Sequence, residues 1–331
     1  MAIKIFFIVV RFLFSATKIS IKFETDSKLS VILTIFAAMN KICWIFVTLL
    51  FCSCTTLRKG FISTTGEGRL YYEERGKGEP VLLLHGHSLD RRMWDEQFKP
   101  LSRQYRTIRL DFRGYGRSSE QREDLPMTHV DDVITLMDSL HIDKAHIIGL
   151  SMGSFVAGDM LAMYPERMLT CTMVSGGIRG TDGPCVPISS EERAQRLRKI
   201  SEVYRQGVAN MKREWTEQLM SSGGSLRERM RKPLQRMIDD WSAWQALHVE
   251  VRLFYGKEAW QRLMSQENSV PTLFIRGENE LKGKKGEPRE MRYLKNGRYV
   301  VIPDCGHMLN MERPKEFNQV VLDFLNSYPR H

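Results

Sequence analysis

The sequence predicts an α/β fold: a doubly wound, mostly parallel sheet with a helical lid inserted in it. Three observations carry this reading. Short continuous apolar runs such as PVLLLHG (80–86) and KAHIIGL (144–150) have the pattern of strands buried on both faces. Helical periodicity fills the intervals between such runs, as in a parallel sheet covered on both sides. One long stretch, 189–268, contains no good strand and interrupts the alternation.

The elements follow in order from about residue 68. YYEERG (71–76), PVLLLHG and YRTIRLD (105–111) read as strands. Residues 127–140 form an amphipathic helix with Val130, Val133, Ile134, Met137 and Leu140 on one side. KAHIIGL runs into a small-residue turn and a helix over about 152–164. CTMVSG (171–176), PTLFIRG (271–277) and RYVVIP (298–303) are further strands, and Pro314 opens a last helix at its first turn. Within 189–268, Ser189 with Glu192 and Ser225 with Glu228 have the spacing of capping boxes, and Pro233 predicts a kink or restart. The lid is therefore expected at about 185–268, inside a folded domain of 68–328.

Composition bounds the function classes. A chain of 331 residues with 42% apolar and 27% charged residues suits one sizeable domain with an insertion. The net charge of +10 contains no run of five like charges, and part of it lies in 281–298. No aromatic–basic motif accompanies it, so a solvated basic surface is expected rather than a nucleic-acid partner. No cysteine pair has CxxC spacing and no His/Cys cluster forms, so no metal site is expected.

The N-terminal residues 1–54 read as a targeting segment. From Met39, one lysine precedes ICWIFVTLLF (42–51), and Ser53 precedes Cys54. That is signal-peptide architecture, too short for a spanning helix. It resembles a bacterial lipoprotein signal, with Cys54 at the lipidated position and Cys52 where a small residue is usual. The resemblance implies a membrane-anchored, extracytoplasmic protein whose working start is Met39; a plain N-terminal membrane anchor over 30–54 is the alternative. Residues 55–67 (TTLRKGFISTTGE) are polar without helical periodicity, and a tether is expected there.

The chemistry is carried by three local patterns. Gly149-Leu150-Ser151-Met152-Gly153 lies between a buried strand and a helix. So sharp a turn strains Ser151, and the flanking glycines remove side chains that would collide. The helix from Met152 aims its free N–H groups and dipole at the same spot. At the end of the strand 80–86, Gly86 lets the N–H of His87 face the nucleophile. With the N–H of Met152 it would form an oxyanion hole. His307, in the loop before the final helix, is the candidate base. Glu280, three residues past the glycine that ends the strand 271–277, is the candidate acid. Glu278 fits the position less well, and Asp182 is the alternative.

Together, HGHSLDRRMW, LDFRGYGRS, GLSMG, PTLFIRGENE and CGHMLNMERP make residues 68–328 resemble the α/β-hydrolase family. The resemblance implies Ser151 as nucleophile, His307 as base, and the backbones of His87 and Met152 as oxyanion hole. It maps the acid to Glu280, where most members have Asp. It implies a small-molecule substrate, a carboxylic ester, and no cofactor. The lid carries Trp215, Trp241, Trp244 and Trp260, residues that commonly pack a core; where some line the cleft instead, an apolar acyl or aromatic group is expected. C–C bond hydrolysis, lactone opening, acyl transfer and cofactor-free peroxidation use the same triad in this family. An inactive binding protein is the rival from another class.

Overall fold

The computed structural model describes residues 56–125, 127–179, 189–249, 253–283 and 286–328. Met39, Cys52, Cys54 and Asp182, singled out above, lie outside them. Among the described residues no helix is long and apolar enough to cross a membrane.

Eight strands build one sheet: β1 (Arg58–Ser63), β2 (Arg69–Arg75), β3 (Pro80–Leu84), β4 (Arg106–Asp111), β5 (Ala145–Leu150), β6 (Met168–Val174), β7 (Thr272–Gly277) and β8 (Gly297–Ile302). Their order across the sheet is β1-β2-β4-β3-β5-β6-β7-β8. β1 and β2 pair antiparallel at one edge, and every pairing from β4 to β8 is parallel. This is the doubly wound, mostly parallel sheet that the buried apolar runs predict.

The helices are α1 (Asp95–Leu101), α2 (His129–Ser139), α3 (Met152–Met163), α4 (Ser190–Gln206), α5 (Val208–Met220), α6 (Glu228–Asp240), α7 (Trp244–Leu247), α8 (Lys257–Ser265), α9 (Leu309–Glu312) and α10 (Pro314–Asn326). Side chains along β3 alternate between two cores. Leu82 and Leu84 join Val130, Val133, Val156 and Met160 of α2 and α3 on one face. Val81 and Leu83 join Phe98, Phe317 and Phe324 of α1 and α10 on the other. Burial on both faces explains why these strands carry no polar alternation. Helices α4 to α8 all fall between β6 and β7.

Three expectations are corrected. Residues 58–63, read as tether, are strand β1, paired with β2 from Arg58–Glu74 to Ser63–Arg69. A capping box forms at Ser189 and Glu192, but not at Ser225 and Glu228. There Ser225 gives its backbone N–H to Asp304 Oδ1 at 2.9 Å and its hydroxyl to the same carboxylate, so the cap is outcompeted by a distant partner. Finally, α6 runs through Pro233 without a restart, with Met230, Leu234, Met237 and Ile238 buried along it.

Candidate active site

In a parallel sheet the carboxyl ends of the strands gather on one edge, where ligands bind. Ser151 follows β5, Glu280 follows β7 and His307 follows β8, so all three stand at that edge.

Ser151 has φ 55° and ψ −113°, backbone angles that an L-residue rarely adopts. Packing enforces the turn. A Cβ on Gly149 would lie 2.0 Å from the Gly153 carbonyl oxygen, and one on Gly153 would lie 2.1 Å from that of Leu84. Both obstacles are backbone and cannot swing aside. Hydrogen bonds from Ser151 N to Val174 O (2.9 Å) and from Phe155 N to Ser151 O (3.1 Å) fix the elbow between β6 and α3.

The 85–88 loop runs alongside. A Cβ on Gly86 would lie 3.5 Å from Ser151 Cβ, so this peptide passes close to the serine. Met152 is the first residue of α3, and its N–H has no carbonyl one turn back to meet. Among the described residues the His87 N–H makes no backbone hydrogen bond. The loop is held from outside: Ser88 Oγ donates to His87 O, and Trp215 Nε1 of α5 donates to Ser88 Oγ, each at 2.5 Å.

The His87 ring is itself enclosed. Its Nδ1 is 2.8 Å from the Tyr115 hydroxyl, and the rings of Tyr115, Trp215 and Trp241 stand edge-on around it. Burial, with His85 and Arg179 adding like charge, pushes its pKa down to about 4. The ring is therefore neutral at pH 7. Trp215 and Trp241 pack against His87, and Trp241 is buried in the core.

His307 Nδ1 is 2.8 Å from Glu280 Oε1, and Arg276 approaches the same oxygen at 3.9 Å. Burial alone would raise the Glu280 carboxyl. The hydrogen bond and charge of His307, the nearby Ser175 hydroxyl and Arg276 outweigh it, and the group stays below its ordinary range. Glu280 Oε2 and Ser175 Oγ are both buried without a well-formed hydrogen bond; they face each other closely enough for the hydroxyl to favour the carboxylate. A carboxylate at Glu280 Oε1 favours the His307 tautomer that carries its proton on Nδ1.

The histidine loop has supports that no local motif reveals. His307 N donates to Ser222 Oγ at 3.1 Å. The fully buried Glu312 accepts Gly306 N at 3.1 Å and Gly224 N at 2.6 Å, tying the loop to the lid turn 221–225. Ser222 and Gly224 lie 85 and 88 residues from His307 and Glu312, beyond any sequence spacing, while Gly306 and Glu312 are six apart. Among the described residues no group of His, Cys, Asp and Glu could hold a metal ion, and Cys171 and Cys305 are buried, unpaired thiols whose pKa burial raises.

Comparison with known proteins agrees with this architecture. The family described as alpha/beta hydrolase fold matches residues 79–314. The chain is 28% identical over 289 residues to a 2-hydroxy-6-oxononadienedioate/2-hydroxy-6-oxononatrienedioate hydrolase of Paraburkholderia phymatum, covering 78% of this chain and 91% of that one. Among solved structures it resembles a thermophilic esterase from Thermogutta terrifontis, with a TM-score of 0.61 and 28% identity over 82% of this chain and 98% of that one. It also resembles the enol-lactonase from Burkholderia xenovorans LB400, with a TM-score of 0.59 and 25% identity over 81% of this chain and all of that one (100%). The family match runs from just before β3 to the first residue of α10 and takes in both sides of the cleft, so the chain belongs to the α/β-hydrolase family of enzymes.

Proposed function

We propose that this enzyme hydrolyses carboxylic esters through Ser151, His307 and Glu280. The observation that carries the reading is the 2.8 Å contact between His307 Nδ1 and Glu280 Oε1 at the sheet edge that also bears the strained Ser151. His307 Nε2 takes the Ser151 hydroxyl proton as Oγ bonds to the ester carbon. The N–H groups of His87 and Met152 meet the oxyanion. The carbon–oxygen bond to the alcohol then breaks, and the leaving alkoxide receives the proton from His307. Water then gives a proton to the same nitrogen as its oxygen bonds to the acyl carbon; the bond from that carbon to Ser151 Oγ breaks, Oγ takes the proton back from His307, and the acid leaves. The scheme draws on no metal or organic cofactor.

The packing of Tyr115, Trp215 and Trp241 around His87 makes the surroundings of the 85–88 loop apolar, which favours an apolar acyl or aromatic group. A panel of p-nitrophenyl esters of increasing chain length tests this. Turnover that rises beyond acetate and is lost in Ser151→Ala supports the reading; no hydrolysis of any ester overturns it. The same three residues serve C–C bond hydrolysis and lactone opening. The likeness to a dienedioate hydrolase and an enol-lactonase makes those substrates the second panel.

For location, the reading is a lipoprotein tethered through Cys54, supported by the run from Met39 to Cys54. Mass spectrometry of the membrane fraction should find a modified Cys54 at the mature N-terminus. An intact N-terminus at Met1 or Met39, with Cys54 unmodified, would exclude the lipoprotein.

A further inference from the structure

Between α4, α7 and the segment after β6 lies a cavity of about 390 Å³, within the size range of small-ligand sites. Its lining combines Arg179, Arg196 and Lys199 with the apolar Ile200, Val203, Leu253 and Phe254, and none of its described lining residues is acidic. Arg196, Lys199, Ile200 and Val203 recur at the spacing of one face of α4. That helix thus turns two cations and two aliphatic side chains into the same space. Arg179 follows β6 at the carboxyl edge of the sheet. Its guanidinium stands over the rings of Phe155 and Phe254, at 5.8 and 5.5 Å from their centroids.

The cavity shares its walls with the nucleophile's surroundings. Phe254 meets Phe155 edge-on, and Phe155 lies one turn beyond Ser151, to whose carbonyl its N–H is bonded. On the other side Gln245 accepts from Trp241 Nε1 at 2.7 Å, and the Trp241 ring contacts that of His87 in the oxyanion loop. The Arg179 charge is also felt at His87.

Resting on the ester reading above, we propose that the enzyme selects esters bearing a carboxylate, whose apolar body lies along Phe254, Leu253 and Ile200 and whose charge meets Arg179, Arg196 and Lys199. A guanidinium held by two aromatic rings loses little freedom on gripping a carboxylate. Arg179 and Lys199, together with Arg196, whose charge is shared with Glu192 on the same helix, give the partly enclosed cavity a positive potential that a neutral acyl chain does not use.

The test compares matched ester pairs: the mono-p-nitrophenyl ester of adipic acid against p-nitrophenyl hexanoate, and the butyrate ester of 4-hydroxybenzoate against that of its methyl ester. In at least one pair the anionic member should show a kcat/KM roughly tenfold or more above its neutral partner, the scale of a charge-assisted hydrogen bond. That ratio should shrink in about 1 M NaCl, where screening acts within about 3 Å. It should fall towards unity in Arg179→Gln/Lys199→Gln and be kept in large part by Arg179→Lys. Labelling of Ser151 by a neutral alkyl fluorophosphonate reports whether each variant is folded. Ratios near one for both pairs in the wild type, or an unchanged ratio in a labelled double variant, overturn the proposal. If Ser151 takes the label but no ester is cleaved, the ester reading fails by itself. The cavity is then judged by whether adipate slows labelling more than adipamide does; equal effects overturn it.

Discussion

Replacing Glu280 by glutamine removes one negative charge while keeping the side chain's shape. At the observed 2.8 Å, Coulomb's law with an effective dielectric of about 20 gives roughly 6 kcal/mol between the carboxylate and the imidazolium that forms during turnover. The two side chains are 24% and 21% exposed, and solvent screening lowers this to about 4 kcal/mol. At about 1.4 kcal/mol per decade, that is a 10³-fold loss in kcat. The wrong tautomer adds to it, because the introduced amide can donate to Nδ1 and leave Nε2 protonated, so a loss of roughly 10³ to 10⁴ is expected. Steady-state kinetics of Glu280→Gln on the best p-nitrophenyl ester measures it, with KM expected to change little. Activity within tenfold of wild type would refute the assignment. So would a steep loss in Asp182→Asn with none in Glu280→Gln, which would move the acid to the other candidate.

Two further outcomes follow from the contacts. Glu312→Ala should cost about 2–4 kcal/mol in denaturant unfolding, because the Gly306 and Gly224 N–H groups lose their acceptor, and kcat should fall as the His307 loop loosens; unchanged unfolding would mean the tie carries no stability. His129 stands between Phe112, Tyr115 and Phe254, with both ring nitrogens unpartnered among the described residues, and burial pushes its pKa down to about 3. Its folded pKa lies below the ordinary 6.5, so the unfolded chain takes up the proton first and stability drops as pH falls below about 6.5, levelling only near 3. At pH 5 this one group costs about 2 kcal/mol, and His129→Phe should therefore gain more stability at pH 5 than at pH 7. Equal gains at both pH values would show that the ring does not titrate this way.

The strands were legible where burial on both faces left uninterrupted apolar runs, as in 80–84 and 145–150. Strand β1 was not, because RKGFIS lies at an edge with mostly exposed side chains, and its pairing with β2 carries it rather than its own pattern. The cap at Ser225 failed for a related reason: the sequence shows the local acceptor, while Asp304 is distant along the chain. The same division holds at the site. Ser151, His307 and Glu280 each sit in a short strand-end motif readable in a few residues. The groups that hold the site in shape, Glu312, Ser222, Tyr115 and Trp215, act across long separations that only the folded chain brings together. The basic cavity was hidden for the same reason, since Arg179 and the α4 cations meet only after folding.

Catalysis by this site requires one reactive hydroxyl, that of Ser151. Purified protein treated with a fluorophosphonate probe should take up one label, located by peptide mass spectrometry at Ser151, and Ser151→Ala should take up none. Only a serine activated by a neighbouring base reacts in this way. Equal labelling of the Ser151→Ala protein, or no labelling of the folded wild type, would contradict the claim that Ser151 is the nucleophile.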